Sequence, residues 1–349
     1  MDEVCRNSFR GDTPMMTIFR ANAISEKCPF DAPFNFTYQF IDGSCVSRTS
    51  SVSSCANPHR FRIHYQACPE NVHTDTHADE IECIAQWDLF GVEYFAAKLT
   101  NHFGTSPSSK YRCFIHQRTP SGGRMGISAD ASCRELTDIS LASTILNYKL
   151  DIRITPQCHF PSFLRHDHHS SSPRSWTSIV SAVKSRFEKE EWTEENHGKV
   201  SSISLCIQEE NLGHLHRLVV HARHGCNSGY QCVQIKKRSK SVIEVIRGRL
   251  TTNEFDACNE MGERTVDNFL LDHSPQEKCP IRGEHQRVDC PHATLHYGCP
   301  SEHAIHQRPS CSSNISQTII CRGHWIEDEV HYIIAEDAET GEKLCTVSL

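Results

Sequence analysis

Residues 215–246 read LHRLVVHARHGCNSGYQCVQIKKRSKSVIEVI, and this stretch decides the fold class. Three apolar runs stand in it, Leu215–Ala222, Tyr230–Ile235 and Val242–Ile246, each of strand length and rich in β-branched residues. His224-Gly225-Cys226-Asn227-Ser228-Gly229 separates the first two and Lys236-Lys237-Arg238-Ser239-Lys240 the last two. Gly, Asn and Ser tolerate turn backbones, so the pattern is a β-meander. Elsewhere, Phe61, Ile63 and Tyr65 alternate with Arg60, Arg62 and His64, the period of a half-buried strand, and Tyr111–Ile115 reads likewise. Helical spacing occurs at Ser178–Glu191, where Ile179, Val180, Val183 and Phe187 recur, with a strand and charged loop as the alternative. The chain reads as mainly β: tandem small disulfide-rich β domains with at most one or two short helices.

The chain carries 19 Cys and 23 His in 349 residues. No CxxC, CxC or CxxC…HxxxH spacing occurs, so the cysteines do not follow a zinc pattern. The tightest pair, Cys226 and Cys232, suits a hairpin-spanning disulfide. Two glycosylation sequons, at Asn35 and Asn314, agree with an oxidising, secretory compartment. The 36 Lys+Arg against 43 Asp+Glu, net -7, exclude a dedicated nucleic-acid binder, which needs a cationic surface. The opening Met1-Asp2-Glu3-Val4-Cys5 is not a basic-then-apolar leader, and no run approaches the roughly 18 apolar residues of a membrane span. The expectation is a secreted or cell-surface protein from an incomplete gene reading, reaching a membrane only through an anchor absent from this chain.

An internal repeat organises the sequence. Residues 83–97, CIAQWDLFGVEYFAA, and 321–335, CRGHWIEDEVHYIIA, share Cys-x3-Trp-x6-Tyr-x2-Ala. Cys28 corresponds to Cys279, Cys45 and Cys55 to Cys299 and Cys311, and Cys113 to Cys345. A duplicated small domain follows. The expected division is a tail at 1–27, the remnant of a missing upstream domain, then domains at 28–120, 121–265 and 275–349, the third repeating the first. The first cysteine set is Cys28, Cys45, Cys55, Cys68, Cys83 and Cys113. The middle set is Cys133, Cys158, Cys206, Cys226, Cys232 and Cys258, and the last is Cys279, Cys290, Cys299, Cys311, Cys321 and Cys345. Three disulfides per domain are expected, with connectivity left open by spacing and Cys5 left over.

The runs CPFDAPFNFTYQFIDGSC, HYQACPE, ECIAQW and KYRCFIHQ form one module. CHFPSFLRHDHH with HARHGCNSGYQCV forms a second, and CPIRGEH, GCPSEH, PSCSS and CRGHW a third. Together they resemble the tandem cysteine-rich domains of unknown function, numbered in the seven-thousand-forties, of large uncharacterised arthropod proteins. The resemblance covers about residues 28–349. It implies several such domains in fixed order behind a signal peptide, often with a C-terminal membrane anchor, and it brings no established activity or catalytic residue.

The histidines are the enzyme test. His166, His168 and His169 cluster beside Cys158, while His214, His216, His221 and His224 straddle a predicted strand. Converging imidazoles bind zinc or copper and activate water. On a strand, however, His214 and His216 face opposite to His221. No HExxH, Gly-x-Ser-x-Gly, Walker A, GxGxxG or EF-hand pattern is present. Trp87 and Trp325 are expected in the core against a disulfide. Arg10-Gly11-Asp12 is read as a chance tripeptide and Lys236–Lys240 as a soluble turn. The functional expectation is an extracellular binding or interaction protein without catalysis or cofactor, its partners other extracellular proteins or glycans. The alternatives are a metal-binding protein or metalloenzyme on His166, His168, His169, His214 and His216, and a small-ligand carrier if the strands close into barrels with a cavity.

Overall fold

The computed structural model describes residues 18–348 apart from 21, 31, 41–42, 71–73, 90, 101–109, 132, 134–135, 151–153, 166–173, 260–261, 287–293 and 309–315. Its described regular structure is β, with two single-turn 3-10 segments, Ile139–Leu141 and Ser162–Leu164. The chain divides into two compact units, Met1–Arg153 with Gly225–Asn227, and Ile154–His224 with Ser228–Leu349.

In the first unit, β1 (Phe34–Phe40), β2 (Gly43–Ser54), β3 (Arg60–Tyr65), β4 (His77–Leu89), β5 (Val92–Leu99), β6 (Tyr111–Thr119), β7 (Gly122–Ile127) and β8 (Thr144–Leu150) pair in chain order. β8 returns antiparallel to β1, Phe34 against Leu150 and Phe40 against Thr144, which closes a barrel. Closure pairs the two edge strands that would otherwise recruit other chains. Strand alternation sends Phe34, Phe36, Phe61, Ile63, Phe95, Phe114 and Leu146 into the buried interior. The first barrel thus runs to Leu150, past the boundary expected at residue 120. Residues of the expected tail pack on it: the Phe19 ring stacks on Tyr111 at 4.4 Å, and Glu26 N donates to Cys83 O.

The second unit opens with β9 (Trp176–Ser178), β10 (Lys184–Phe187), β11 (Glu191–Asn196), β12 (Lys199–Asn211), β13 (Leu215–His224), β14 (Asn227–Lys237), β15 (Val242–Thr251) and β16 (Thr265–Leu271). β9 lies between β16 and β10 and closes a second barrel. Trp176, Phe187, Trp192, Val233, Val245 and Phe269 fill it, and Arg247, paired to Glu194 at 2.6 Å, lies 4.7 Å over the Trp192 ring. A six-stranded meander follows: β17 (Gly283–Gln286), β18 (Thr294–Tyr297), β19 (Ala304–Arg308), β20 (Gln317–Glu327), β21 (Val330–Asp337) and β22 (Lys343–Ser348).

The helix expected over Ser178–Glu191 is instead a strand, a reversal and two strands. The Ser178 hydroxyl accepts from the backbone N–H of Val180 and Ser181, at 3.2 and 3.0 Å, and Ala182 takes a φ of 56°. Side-chain capture of the backbone favours a turn over helix, and the apolar spacing misled because Val180 is 87% exposed.

One device recurs three times. Cys28–Cys83, Cys158–Cys206 and Cys279–Cys321 each bond the segment ahead of a sheet to its fourth strand. Directly after Cys83, Cys206 and Cys321 the register slips by one residue against the fifth strand. Such a bulge moves the following side chains to the opposite face. The bulge explains Cys-x3-Trp-x6-Tyr: the cysteine points inward, and the tryptophan pairs across the hairpin on the outside. Trp87 opposes Tyr94, stacked at 5.8 Å, and Trp325 opposes Tyr332 at 5.1 Å. In the second barrel Glu210 and Arg217 take these places, ion-paired at 3.0 Å. Trp87 is therefore not a core residue; it is 42% exposed, whereas Trp325 is buried against Val242 and Leu270.

The remaining disulfides depart from three closed sets. Cys45–Cys68, Cys113–Cys133 and Cys232–Cys258 are local, so Cys133 belongs with the first barrel and Cys226 does not bond Cys232. Within the first unit Cys226 bonds Cys55, while Ala56 N donates to Gly225 O at 2.6 Å and Arg62 to Asn227 Oδ1 at 2.6 Å. Backbone bonding also shifts one expected correspondence. Cys28 N and Cys83 N donate to Pro58 O and His59 O; Cys279 N and Cys321 N donate to Glu302 O and His303 O. Cys299 accordingly matches Cys55, not Cys45. Cys299 and Cys345 are exposed and unpaired among the described residues, and Cys5, Cys290 and Cys311 lie outside those residues.

β20 approaches β15 closely at Gly323, where an added Cβ would stand 2.5 Å from Val242 Cγ2. Gly323→Ala is expected to destabilise the second unit by about 1–3 kcal/mol. Urea unfolding followed by Trp fluorescence reads that loss, and an unchanged midpoint would contradict the close approach.

Candidate functional site

The two ends of the first barrel differ. At one end Phe30 stands edge-on to Phe34 and Phe61, with ring centroids 5.8 and 4.8 Å away. Beside it the buried His116 has both ring nitrogens engaged. Nδ1 lies 2.8 Å from Glu93 Oε2 and Nε2 2.8 Å from the Tyr148 hydroxyl. Burial lowers the His116 pKa, and the Glu93 hydrogen bond acts against that shift. With a neutral ring, Nδ1–H donates to the carboxylate and Nε2 accepts from the phenol. Arg118 pairs with Glu93 at 2.7 Å and donates to Pro29 O. This end is plugged.

The other end holds a cavity of about 470 Å³. Its floor is apolar, from Ile81, Leu99, Phe114 and Ile127. Tyr38, Phe40 and Tyr65 form an aromatic wall, Tyr38 standing edge-on to Phe40 at 5.2 Å and to Tyr65 at 5.6 Å. Around the mouth stand Asp75, His77, Asp79 and Arg112, with Ser128, Ser143 and Thr144. The His77 ring stacks on Tyr65 at 4.8 Å, its Nδ1 is 3.0 Å from Asp75 O, and its Nε2 is 3.8 Å from Asp79. The Tyr38 hydroxyl donates to Gln66 O at 2.6 Å. Burial raises the pKa of both Tyr38 and Tyr65, and the negative charge of Asp79 adds to the shift at Tyr65. Both phenols therefore stay neutral hydrogen-bonding groups at physiological pH.

Strand parity builds this lining. Asp79 shares the inward face of β4 with Ile81 and Cys83, and Arg112 shares that of β6 with Phe114. None of the cavity residues was named as a site from sequence. The available signal was a charge at an inward position near a strand end, Asp79 two residues before Ile81 and Arg112 two before Phe114.

The expected histidine sites separate. His166, His168 and His169 lie outside the described residues. His214 is exposed, and His216 Nδ1 is 3.0 Å from Glu209. His221 packs edge-on to Tyr230 at 5.3 Å, and His224 Nε2 is 3.1 Å from Gln231 Oε1. Among the described residues, Cys45, Cys68 and Glu70 bring three ligand-type atoms within 4.8 Å, but the two sulfurs are disulfide-bonded. The basic turn is largely occupied: Lys236 and Arg238 pair with Glu244, Arg238 also with Glu327, and Lys237 lies over the Phe163 ring. Asn35 is exposed on β1, whereas Asn314 and Arg10-Gly11-Asp12 lie outside the described residues.

Two meander barrels in succession, each with a Cys staple to its fourth strand, define a tandem, disulfide-rich β-barrel protein. Two families match along it: a domain of unknown function, DUF7042, over residues 24–150, and another, DUF7043, over residues 154–268. The chain thus carries these two domains in tandem, and the matched spans follow the two barrels closely. It matches no curated protein and no solved structure. The seven disulfides among the described residues fit an oxidising environment, and no described helix is long and apolar enough to cross a membrane.

Burial, with the positive charge of Arg223 adding to it, lowers the His221 pKa from 6.5 to about 4. The folded chain thus disfavours a proton that the unfolded chain accepts near pH 6.5. The stability this represents is complete above pH 6.5 and is lost as pH falls toward 4. His221→Gln is expected to flatten that part of the stability–pH curve, measured by urea unfolding between pH 7.5 and 4. An equally steep curve in the variant would contradict the assignment.

Proposed function

We propose that this is a secreted or cell-surface binding protein that acts without catalysis, and that its first barrel holds one small amphipathic molecule. The observation carrying this reading is the 470 Å³ cavity, apolar below and polar at the rim, in a barrel plugged at its other end. Eight-stranded barrels either fill with side chains or hold one small ligand. The second barrel takes the first course, with two tryptophans inside. The first has the size and mixed lining of small-molecule sites. Secretion is supported by the disulfides and the exposed Asn35 sequon.

Contact with other extracellular proteins is a second reading, favoured by Trp87 and Leu89, 42% and 49% exposed on the same outer face.

The test of the first reading is binding of N-phenyl-1-naphthylamine, a neutral apolar fluorophore, to the full chain made through a secretory route. Saturable enhancement is expected, and Leu99→Trp, which fills the floor, is expected to abolish it. Thr144→Trp serves as a second filling variant if the first fails to fold. Absence of saturable binding, or binding untouched by either filling variant, would overturn the reading.

A further inference from the structure

We propose that the ligand of the first barrel is a monocation, an amine on an aromatic or aliphatic body, drawn to the mouth by Asp75 and Asp79. This inference rests on the preceding reading of the cavity. The apolar floor of Ile81, Leu99, Phe114 and Ile127 suits a hydrocarbon body but does not select the sign of the head group. The rim does. Two carboxylates, Asp75 and Asp79, stand there against one guanidinium, Arg112, while the His77 ring engages the backbone carbonyl of Asp75 through Nδ1 at 3.0 Å. The carboxylates of the rim thus outnumber its guanidinium. An incoming carboxylate would face two like charges, and Arg112 already donates through Nη1 to Tyr111 O at 2.7 Å.

Two further features favour a cation. Asp79 is partly shielded, its side chain 29% exposed, and its 3.8 Å separation from His77 Nε2 exceeds hydrogen-bond length. A charge in that position acts through a lower dielectric than bulk water. Phe40, Tyr38 and Tyr65 line the cavity beside it, Tyr38 edge-on to the other two, and the electron-rich face of an aromatic ring attracts an ammonium group. The amine would sit between carboxylates and rings, its body directed down toward Phe114.

The experiment varies head charge on one body. 4-Phenylbutylamine, 4-phenylbutanol and 4-phenylbutyrate are titrated calorimetrically into the full secreted chain at pH 7 and low salt. The amine is expected to bind at least tenfold more tightly than either analogue. Asp79→Asn is expected to weaken the amine about tenfold while leaving the alcohol unchanged, with Asp75→Asn as the second variant on the exposed rim. An alcohol or carboxylate that binds as well as the amine would overturn the proposal, as would an amine affinity that neither variant changes. Failure of all three to bind while the neutral fluorophore binds would overturn the charge assignment alone. Failure of the fluorophore as well would remove the cavity reading beneath it.

Discussion

The disulfide from each leading segment to the fourth strand is the constraint on which the rest depends. Cys28–Cys83, Cys158–Cys206 and Cys279–Cys321 each close a loop of dozens of residues, which restricts the unfolded chain by about 2–4 kcal/mol apiece. Each also locates a register slip. The bulge beside the cysteine sets which side chains of the fourth and fifth strands face inward, and a wrong register there would turn a core face to water. Small β domains bury too little apolar area to tolerate that error, so staple and bulge act together.

From that frame the two barrels diverge through side-chain volume. The second places Trp176 and Trp192 inside and closes on Arg247–Glu194. The first places Phe30 and the His116–Glu93–Tyr148 cluster at one end, and at the other leaves polar groups that do not fill the mouth. The cavity arises where Asp79 and Arg112 occupy inward positions near strand ends, leaving the mouth lined by polar groups rather than closed by apolar ones.

Much of the architecture was legible in local pattern. Phe61, Ile63 and Tyr65 announced a half-buried strand, and Leu215–Ile246 announced three; β3, β13, β14 and β15 stand there. The duplicated Cys-x3-Trp-x6-Tyr was legible too, but its third copy was hidden by chemistry. Glu210 and Arg217 stand at the same spacing from Cys206, and an ion pair across a hairpin leaves no aromatic signature. At Ser178–Glu191 the apolar period resembled a helix because Val180, at 87% exposure, was counted as part of a buried stripe. The cavity was not legible: Asp79 and Arg112 are 33 positions apart in sequence and share a mouth only once the barrel closes.

The β class, the tandem organisation and the oxidising chemistry follow from the amino-acid order alone, because strand alternation, turn residues and cysteine density are local or compositional properties. Tertiary structure alone decided three things: the pairing of Cys55 with Cys226, the closure of β8 on β1, and which barrel keeps a cavity. Each is a non-local contact, set by bulges and packed volumes that no single segment encodes.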